Sequence, residues 1–394
     1  MKKKSMKGMI KNIVIILLIL ICIIEGAVLK VFVFDGSDGV ASTAKLKEIK
    51  ALIDRYYLED VDEDQLEAYT YKGLLAGLGD PYSTYYTKEE YEDLTESMEG
   101  VFSGIGAVLQ QDVDDGTIKV VRVIKDSPAE EAGVKANDIL YKIEGKEISS
   151  DEDLSEVVSR VKGKEGTNVN LTFLRNEEEM DFTITRKQIE NPTVEYEMLD
   201  QSIGYIQITE FEEVTVDQFE NAMEELEKDG MEKLVLDLRD NPGGLLSSVV
   251  SIADQFIGEG MIVYTEDKNG NREEYTADSK EAFDQPLAVL INGNSASASE
   301  ILAGAIQDYK IGTLVGTTSF GKGIVQSTIK LPDGSALKLT ISSYYTPEGR
   351  NIHEKGIDPD VEVELDESLE DQSSIKKSED NQLQKAIEVL ENEK

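Results

Sequence analysis

The sequence predicts a multidomain α/β (α+β) protein with amino-terminal helices, a β-rich insert and a mixed-sheet core. Three observations predict it. Apolar residues from Thr43 to about Leu94 recur at spacings of three and four. Short β-branched runs broken by turns fill Val101 to about Arg186. Beyond Asn191 strand-like and helix-like segments alternate. The chain has 394 residues, enough for two or three domains with real cores.

The elements follow in order. Lys2, Lys3, Lys4, Lys7 and Lys11 precede an apolar run from Ile13 to Ile24, which Glu25 interrupts and Ala27 to Phe34 continue. The unbroken part is short beside the roughly 20 residues of a spanning helix. No small-x-small cleavage site follows, and Ile19-Leu20-Ile21 before Cys22 lacks the small residue of a lipoprotein signal. The expectation is a single-pass membrane anchor over 9–34, with residues 1–8 as a cytoplasmic tail and the rest extracytoplasmic. A cleaved signal is the competing reading. Residues 35–41 form a polar linker. Residues 42–98 are helical, with segments near Leu46 to Tyr57, Leu66 to Leu78 and Lys88 to Met98.

Residues 99–188 make the β-rich insert. Its strands are Gly106 to Leu109, Ile118 to Val123, Ile139 to Ile143 and Val169 to Phe173, with one helix from Asp151 to Val161. Residues 189–366 make the core. Strands are expected at Ile203 to Ile208, Leu234 to Leu238, Leu287 to Ile291 and Thr313 to Val315. Helices are expected at Val216 to Glu227, Ser247 to Ile257 and Ser299 to Tyr309. Residues 367–394 are a charged tail with a short helical pattern from Leu383 to Leu390.

Composition excludes several chemistries. The net charge of −39 repels nucleic acid, so no nucleic-acid partner is expected. The single Cys, Cys22, rules out an intramolecular disulfide and a Cys-rich zinc site. The single His, His353, rules out a metal site with two His ligands. A hydrolase built from this chain uses either His353 or a base of another kind. No metal or cofactor is expected.

Three segments carry chemistry. Asn292-Gly-Asn-Ser-Ala-Ser-Ala-Ser-Glu300 joins a buried-looking strand to an amphipathic helix. Such a turn can hold a serine at a helix amino end, where free N–H groups favour a developing oxyanion. An ordinary helix cap is the plainer explanation. Gly316 to Gln326 nearly matches a phosphate loop, but Gly323 stands where the magnesium-binding hydroxyl belongs. A strand-like stretch follows it, on which Lys322 and Gln326 are expected to face the same side. In Leu236-Asp-Leu-Arg-Asp-Asn-Pro-Gly-Gly244 a strand end turns into a helix, and its glycines let N–H groups approach a bound carbonyl. Asp237, Asp240 and Glu300 do not converge in sequence as a metal set.

In this order the three segments, with Tyr345-Thr-Pro-Glu-Gly-Arg350 and Lys355-Gly-Ile-Asp-Pro-Asp360, resemble the carboxy-terminal processing peptidases, or tail-specific proteases. The resemblance covers about residues 43–366. It implies a serine endopeptidase with Ser297 as nucleophile, Lys322 as general base and Gln326 supporting the lysine. It implies an oxyanion hole from the N–H groups of Ala298 and of Gly243, preferred over Gly244. The insert resembles a PDZ domain. Ser103, Gly104, Ile105 and Gly106 fit the loop that holds a ligand's terminal carboxylate, and Asp126 to Gly133 and Asp138-Ile-Leu fit two further motifs. Asn137 stands where a Gly is usual, and Asn tolerates the left-handed backbone of that turn. The implied partners are proteins with flexible apolar carboxy termini, added as a strand to the domain edge. A homodimer through segments 43–94 and 367–394 is a further expectation. Two rivals remain: an inactive PDZ adaptor, and a Ser–His hydrolase using His353, whose polar surroundings predict a solvated loop.

Overall fold

A computed structural model describes residues 43–113, 115–199, 202–278, 282–369 and 375–392. The chain divides into two compact units, the first ending at Thr70 and the second beginning at Tyr71. In the first, helix α1 (Thr43–Tyr56) buries no residue, and Lys50 Nζ pairs with Glu63 at 2.6 Å. Helix α2 (Glu63–Ala76) continues into the second unit.

The second unit opens with strand β1 (Thr84–Tyr86) and helix α3 (Lys88–Glu99). A reciprocal cap starts α3: the Glu90 N–H donates to Thr87 Oγ1 and the Thr87 N–H to Glu90 Oε2. Strand β2 (Val101–Gly104) leads into the insert. There β3 (Ala107–Gln111), β4 (Ile118–Val123), helix α4 (Pro128–Ala132), β5 (Ile139–Ile143) and β6 (Lys146–Glu147) come first. Helix α5 (Leu154–Val161), β7 (Asn168–Arg175), β8 (Glu178–Thr185) and β9 (Lys187–Glu190) follow. The sheet runs β3-β4-β5-β7-β8 and packs Val120, Leu140, Val157, Val169, Leu171 and Phe173 into its own core. Asn137 takes φ 72°, so the left-handed turn survives the loss of Gly.

The core comprises β10 (Val194–Met198), β11 (Ile203–Ile208), helix α6 (Thr215–Lys228), β12 (Lys233–Asp237) and helix α7 (Leu246–Ile257). Next come β13 (Glu259–Asp267), β14 (Arg272–Asp278), β15 (Leu287–Ile291), helix α8 (Ala298–Tyr309) and β16 (Thr313–Gly316). The last elements are β17 (Ile324–Lys330), β18 (Ala336–Tyr345), β19 (Val361–Glu362) and helix α9 (Asn381–Asn392). One sheet runs β10-β11-β12-β15-β16-β19, parallel except at the β10 edge. Strand β15 is buried at every residue, as a central strand of a parallel sheet covered on both faces must be. Helices α6, α7 and α8 pack on one face. Leu383, Ala386 and Leu390 of α9 cover Tyr205, Val235, Ala288, Leu290 and Val315 on the other. The charged tail therefore contains a core helix. A second sheet, β1-β18-β13-β14 with β17 beside β18, flanks the cleft described below.

Arg239 ties α9 to the end of β12. Its guanidinium donates to Asp237 Oδ2 at 2.6 Å, to Asp380 Oδ2 at 2.8 Å and to Gln382 Oε1 at 3.0 Å. Both carboxylates are buried. Arg239→Ala would leave two buried carboxylates without their cation. A loss of about 3–5 kcal/mol in urea denaturation is expected; a loss under about 1 kcal/mol would mean that the pair is solvated.

One expectation is corrected. The single-pass anchor over 9–34 lies outside the described residues, and among the described residues no helix is long and apolar enough to cross a membrane. Every described helix is amphipathic or interrupted by charge, so the membrane assignment is not retained.

Candidate active site

The turn from β15 to α8 sorts its three serines. Ser295 and Ser299 are buried; Ser295 Oγ donates to the Leu238 carbonyl at 2.8 Å and Ser299 Oγ to the Asn241 carbonyl at 3.0 Å. They pin this turn to the one after β12. Ser297 is left facing the cleft, at the amino end of α8, with φ 55° and ψ −112°. That backbone is costly for a residue with a Cβ and is held by its surroundings. The Ser297 N–H donates to Glu300 Oε2 at 2.9 Å, and Tyr344 donates its hydroxyl to the Ser297 carbonyl at 3.1 Å. Burial pushes the Tyr344 phenol well above its usual range, so it stays a donor.

Glu300 is fully buried and gathers the site. Besides Ser297 it accepts from Ser319 Oγ at 2.6 Å, the Gly321 N–H at 2.7 Å and the Lys322 N–H at 2.9 Å. One carboxylate thus fixes both the serine turn and the lysine loop. Asp237 is engaged by Arg239 and Tyr205, so neither acid is an open metal ligand.

Lys322 precedes β17 instead of lying on it, and a bulge between Val325 and Gln326 breaks the simple alternation. The same-face argument from strand spacing therefore fails, yet both side chains line one cleft with Ser297, Gly243 and Ala298. This cleft holds about 680 Å³. Burial, and then the charge of Lys338, lower the Lys322 pKa, while Glu300 opposes them. Among the described residues no hydrogen bond joins Ser297 Oγ to Lys322 Nζ. The ammonium instead lies 4.8 Å from the centroid of the Tyr82 ring. Gln326 Nε2 donates to Thr340 Oγ1 at 3.3 Å, not to Lys322.

Gly243 has φ 110°, and a Cβ there would stand 2.8 Å from Ser297 Cβ and 3.0 Å from the Ala298 nitrogen. Only glycine fits so close to the serine. Its N–H donates to Asn241 Oδ1 at 2.8 Å. Ala298 N–H, at the first position of α8, has no protein acceptor among the described residues. His353 does not line the cleft. It is half-buried, its backbone packs against Gly323 and its Nδ1 is buried without a partner among the described residues, so it is not the solvated loop expected.

In the insert, Gly104, Ile105 and Gly106 line a groove of about 340 Å³ between β3 and α5, with Val158, Val161 and Lys162 across from them. Ser103 Oγ is buried without a partner among the described residues. Gly106 has φ 80°, and a Cβ there would meet Ser127 Cβ at 2.3 Å.

Sequence reasoning missed Glu212. It lines both the insert groove and the cleft that holds Ser297 and Lys322. It follows Phe211, whose N–H and carbonyl bond Gly243 O and Leu245 N. Asn191 Nδ2 donates to Glu212 Oε1 at 2.7 Å, while Oε2 is buried without a partner among the described residues. Burial pushes its pKa up to about 7, against the Asn191 bond and with help from Glu210. A carboxyl raised on folding stabilises most below its unfolded pKa and loses that stability as pH rises through the folded value. Glu212→Gln should therefore flatten the decline between about pH 5 and about pH 7.5, a gain on the order of 1–3 kcal/mol at the upper end. Urea denaturation at both pH values checks this; parallel profiles would rule out the ionisation.

Residues 202–363 match Peptidase family S41, residues 103–185 match PDZ domain, and residues 34–90 match Activating protease CtpB N-terminal domain. The "Carboxy-terminal processing protease CtpA" of Bacillus subtilis (strain 168) is 39% identical over 332 residues, covering 84% of this chain and 71% of that protein. A "Probable CtpA-like serine protease" of Staphylococcus aureus (strain MSSA476) is 40% identical over 327 residues, covering 82% of this chain. The match spans 65% of the staphylococcal relative's length. The solved "Putative S41 protease from Bacteroides fragilis NCTC 9343" is 17% identical with TM-score 0.54, covering 90% of this chain and 98% of that one, which bears on the fold alone.

Proposed function

Because the chain belongs to the carboxy-terminal processing proteases of peptidase family S41, we propose that it is a serine endopeptidase working through Ser297 and Lys322. The observation that carries this reading is the sorting of the serines: two are spent on backbone carbonyls and one faces a cleft shared with a half-buried lysine. Lys322 acts in its neutral form, which burial and Lys338 favour. Ser297 Oγ attacks the scissile carbonyl as its proton passes to Lys322 Nζ. Lys322 then gives that proton to the leaving amine, and an acyl-enzyme forms. Water, deprotonated by the same lysine, releases the acid and restores Ser297. The oxyanion is received by the Ala298 N–H, and by the Gly243 N–H once it leaves Asn241. Gln326 positions the lysine after turning from Thr340.

The groove of the insert takes a substrate's terminal carboxylate at Ser103 to Gly106 and its last apolar side chain against Ile105, Val158 and Val161. The test uses an unfolded reporter ending in apolar residues, with a free carboxylate or a terminal amide. The free acid should be cleaved at least about tenfold faster at low substrate concentration. Equal cleavage would remove the tail-recognition part. The second reading, a PDZ adaptor without activity, draws on the unbonded Ser297 and Lys322 side chains. It stands if neither reporter is cut while the free acid binds.

A further inference from the structure

Tyr82 belongs to none of the motifs above, yet it touches the base. The segment around it is firmly fixed. Strand β1 pairs antiparallel with β18, Thr84 opposite Lys338. Ser83 Oγ accepts from the Thr340 N–H at 3.0 Å and donates to Asp80 Oδ2 at 2.6 Å. The Tyr82 N–H donates to Asp80 Oδ1 at 3.0 Å. Thr340 is also the residue whose hydroxyl holds Gln326. The segment carrying Tyr82 and the Gln326 amide are therefore both held at Thr340 of β18. Tyr82 is half-buried, and Lys322 Nζ lies 4.8 Å from its ring centroid.

We propose that Tyr82 is a positioning residue for Lys322, docking its ammonium form on the ring face and releasing the neutral amine to Ser297. The inference rests on the Ser297–Lys322 reading. An aromatic face attracts a cation through its quadrupole and has no comparable hold on a neutral amine. The dock is therefore occupied when Lys322 carries its proton, and it empties when the proton leaves. The charged groups acting on Lys322 are Lys338 from β18, which repels the cation, and Glu300 from α8, which attracts it. The ring adds a preference for the cation. Its loss should let Lys322 deprotonate at lower pH.

The acid limb of kcat/KM against pH reports the base in the free enzyme. Tyr82→Leu should move that limb down by roughly 0.5–1 pH unit and leave the high-pH plateau within about twofold. Tyr82→Phe keeps the ring and should hold the wild-type limb. Pentafluorophenylalanine at position 82 keeps the shape but cancels the negative face, and should shift the limb as leucine does. It decides the matter if the leucine variant does not fold. Unshifted limbs in the fluorinated and leucine variants, or a loss of plateau rate without a shift, overturn the proposal. Lys322→Ala is measured alongside. If it retains activity, the Ser–Lys reading itself falls; if it is inactive while the Tyr82 variants show no shift, only the role of Tyr82 is lost.

Discussion

Ser297→Ala is expected to lower kcat on a peptide substrate by roughly 10⁴- to 10⁶-fold without loss of fold. The structure makes the expectation specific to this serine. Ser295 and Ser299 lie two residues away on either side, but their hydroxyls are committed to the carbonyls of Leu238 and Asn241. Neither is free to stand in for Ser297 as the proposed nucleophile. Lys322→Ala should cost a similar factor, and the double variant no more than either alone, because the two act as a unit. Lys322→Arg should also be inactive, since a guanidinium does not give up its proton near neutrality. Single-turnover assays with active-site titration check these outcomes. Turnover above about one hundredth of wild type in a single variant would contradict the mechanism.

The second large effect is expected at Glu300. Four donors converge on this carboxylate: the N–H groups of Ser297, Gly321 and Lys322, and the Ser319 hydroxyl. Glu300→Ala leaves all four without their acceptor at a fully buried position. A loss of about 3–5 kcal/mol in urea denaturation is expected, each charge-assisted bond being strong and each orphaned donor costly. Activity should fall at least about 100-fold, because the serine turn and the lysine loop lose their common tether. Glu300→Gln keeps the shape but turns an amide group toward donors, so an intermediate loss of both is expected. A glutamine variant with wild-type stability and rate would show that the carboxylate merely fills space.

The core strands were legible where apolar runs stand between turn residues. Ile203–Ile208 and Leu287–Ile291 are strands over their whole predicted lengths. The second sheet was not legible. Strand β14 buries only Ala277, and its charged remainder carries no period. Strand β18 is half-buried along most of its length, so neither alternation nor a continuous apolar run marks it. The helical pattern from Leu383 to Leu390 was legible, but the surrounding charge gave no sign that Leu383, Ala386 and Leu390 pack into the core.

The site divides along the same line. Ser297, Lys322 and Gln326 lie in compact motifs that a reader of the sequence can find. That they share one site was implied by the resemblance; the separate argument that Lys322 and Gln326 face one side of a strand is removed by the bulge at Val325, although both line the cleft. Glu300 sat in the quoted motif, yet its role depends on a loop some twenty residues on that only folding brings back. Tyr82 reaches the lysine through the pairing of β1 with β18, across most of the chain. Glu212 is marked by burial, which sequence does not disclose at a single acidic position.

Helix α9 packs on one face of the central sheet, over β12, β15 and β16, and it comes from sequence made after every strand it touches. Tyr205, Val235, Ala288 and Leu290 meet the α9 residues Leu383, Ala386 and Leu390 there. The contacts that α9 makes with this face therefore form only after all the strands of the sheet have been made. Arg239, next to the turn that carries Gly243, likewise waits for Asp380. The order of synthesis therefore places this part of the core, and the Arg239–Asp380 contact beside the Gly243 turn, among the last to be completed.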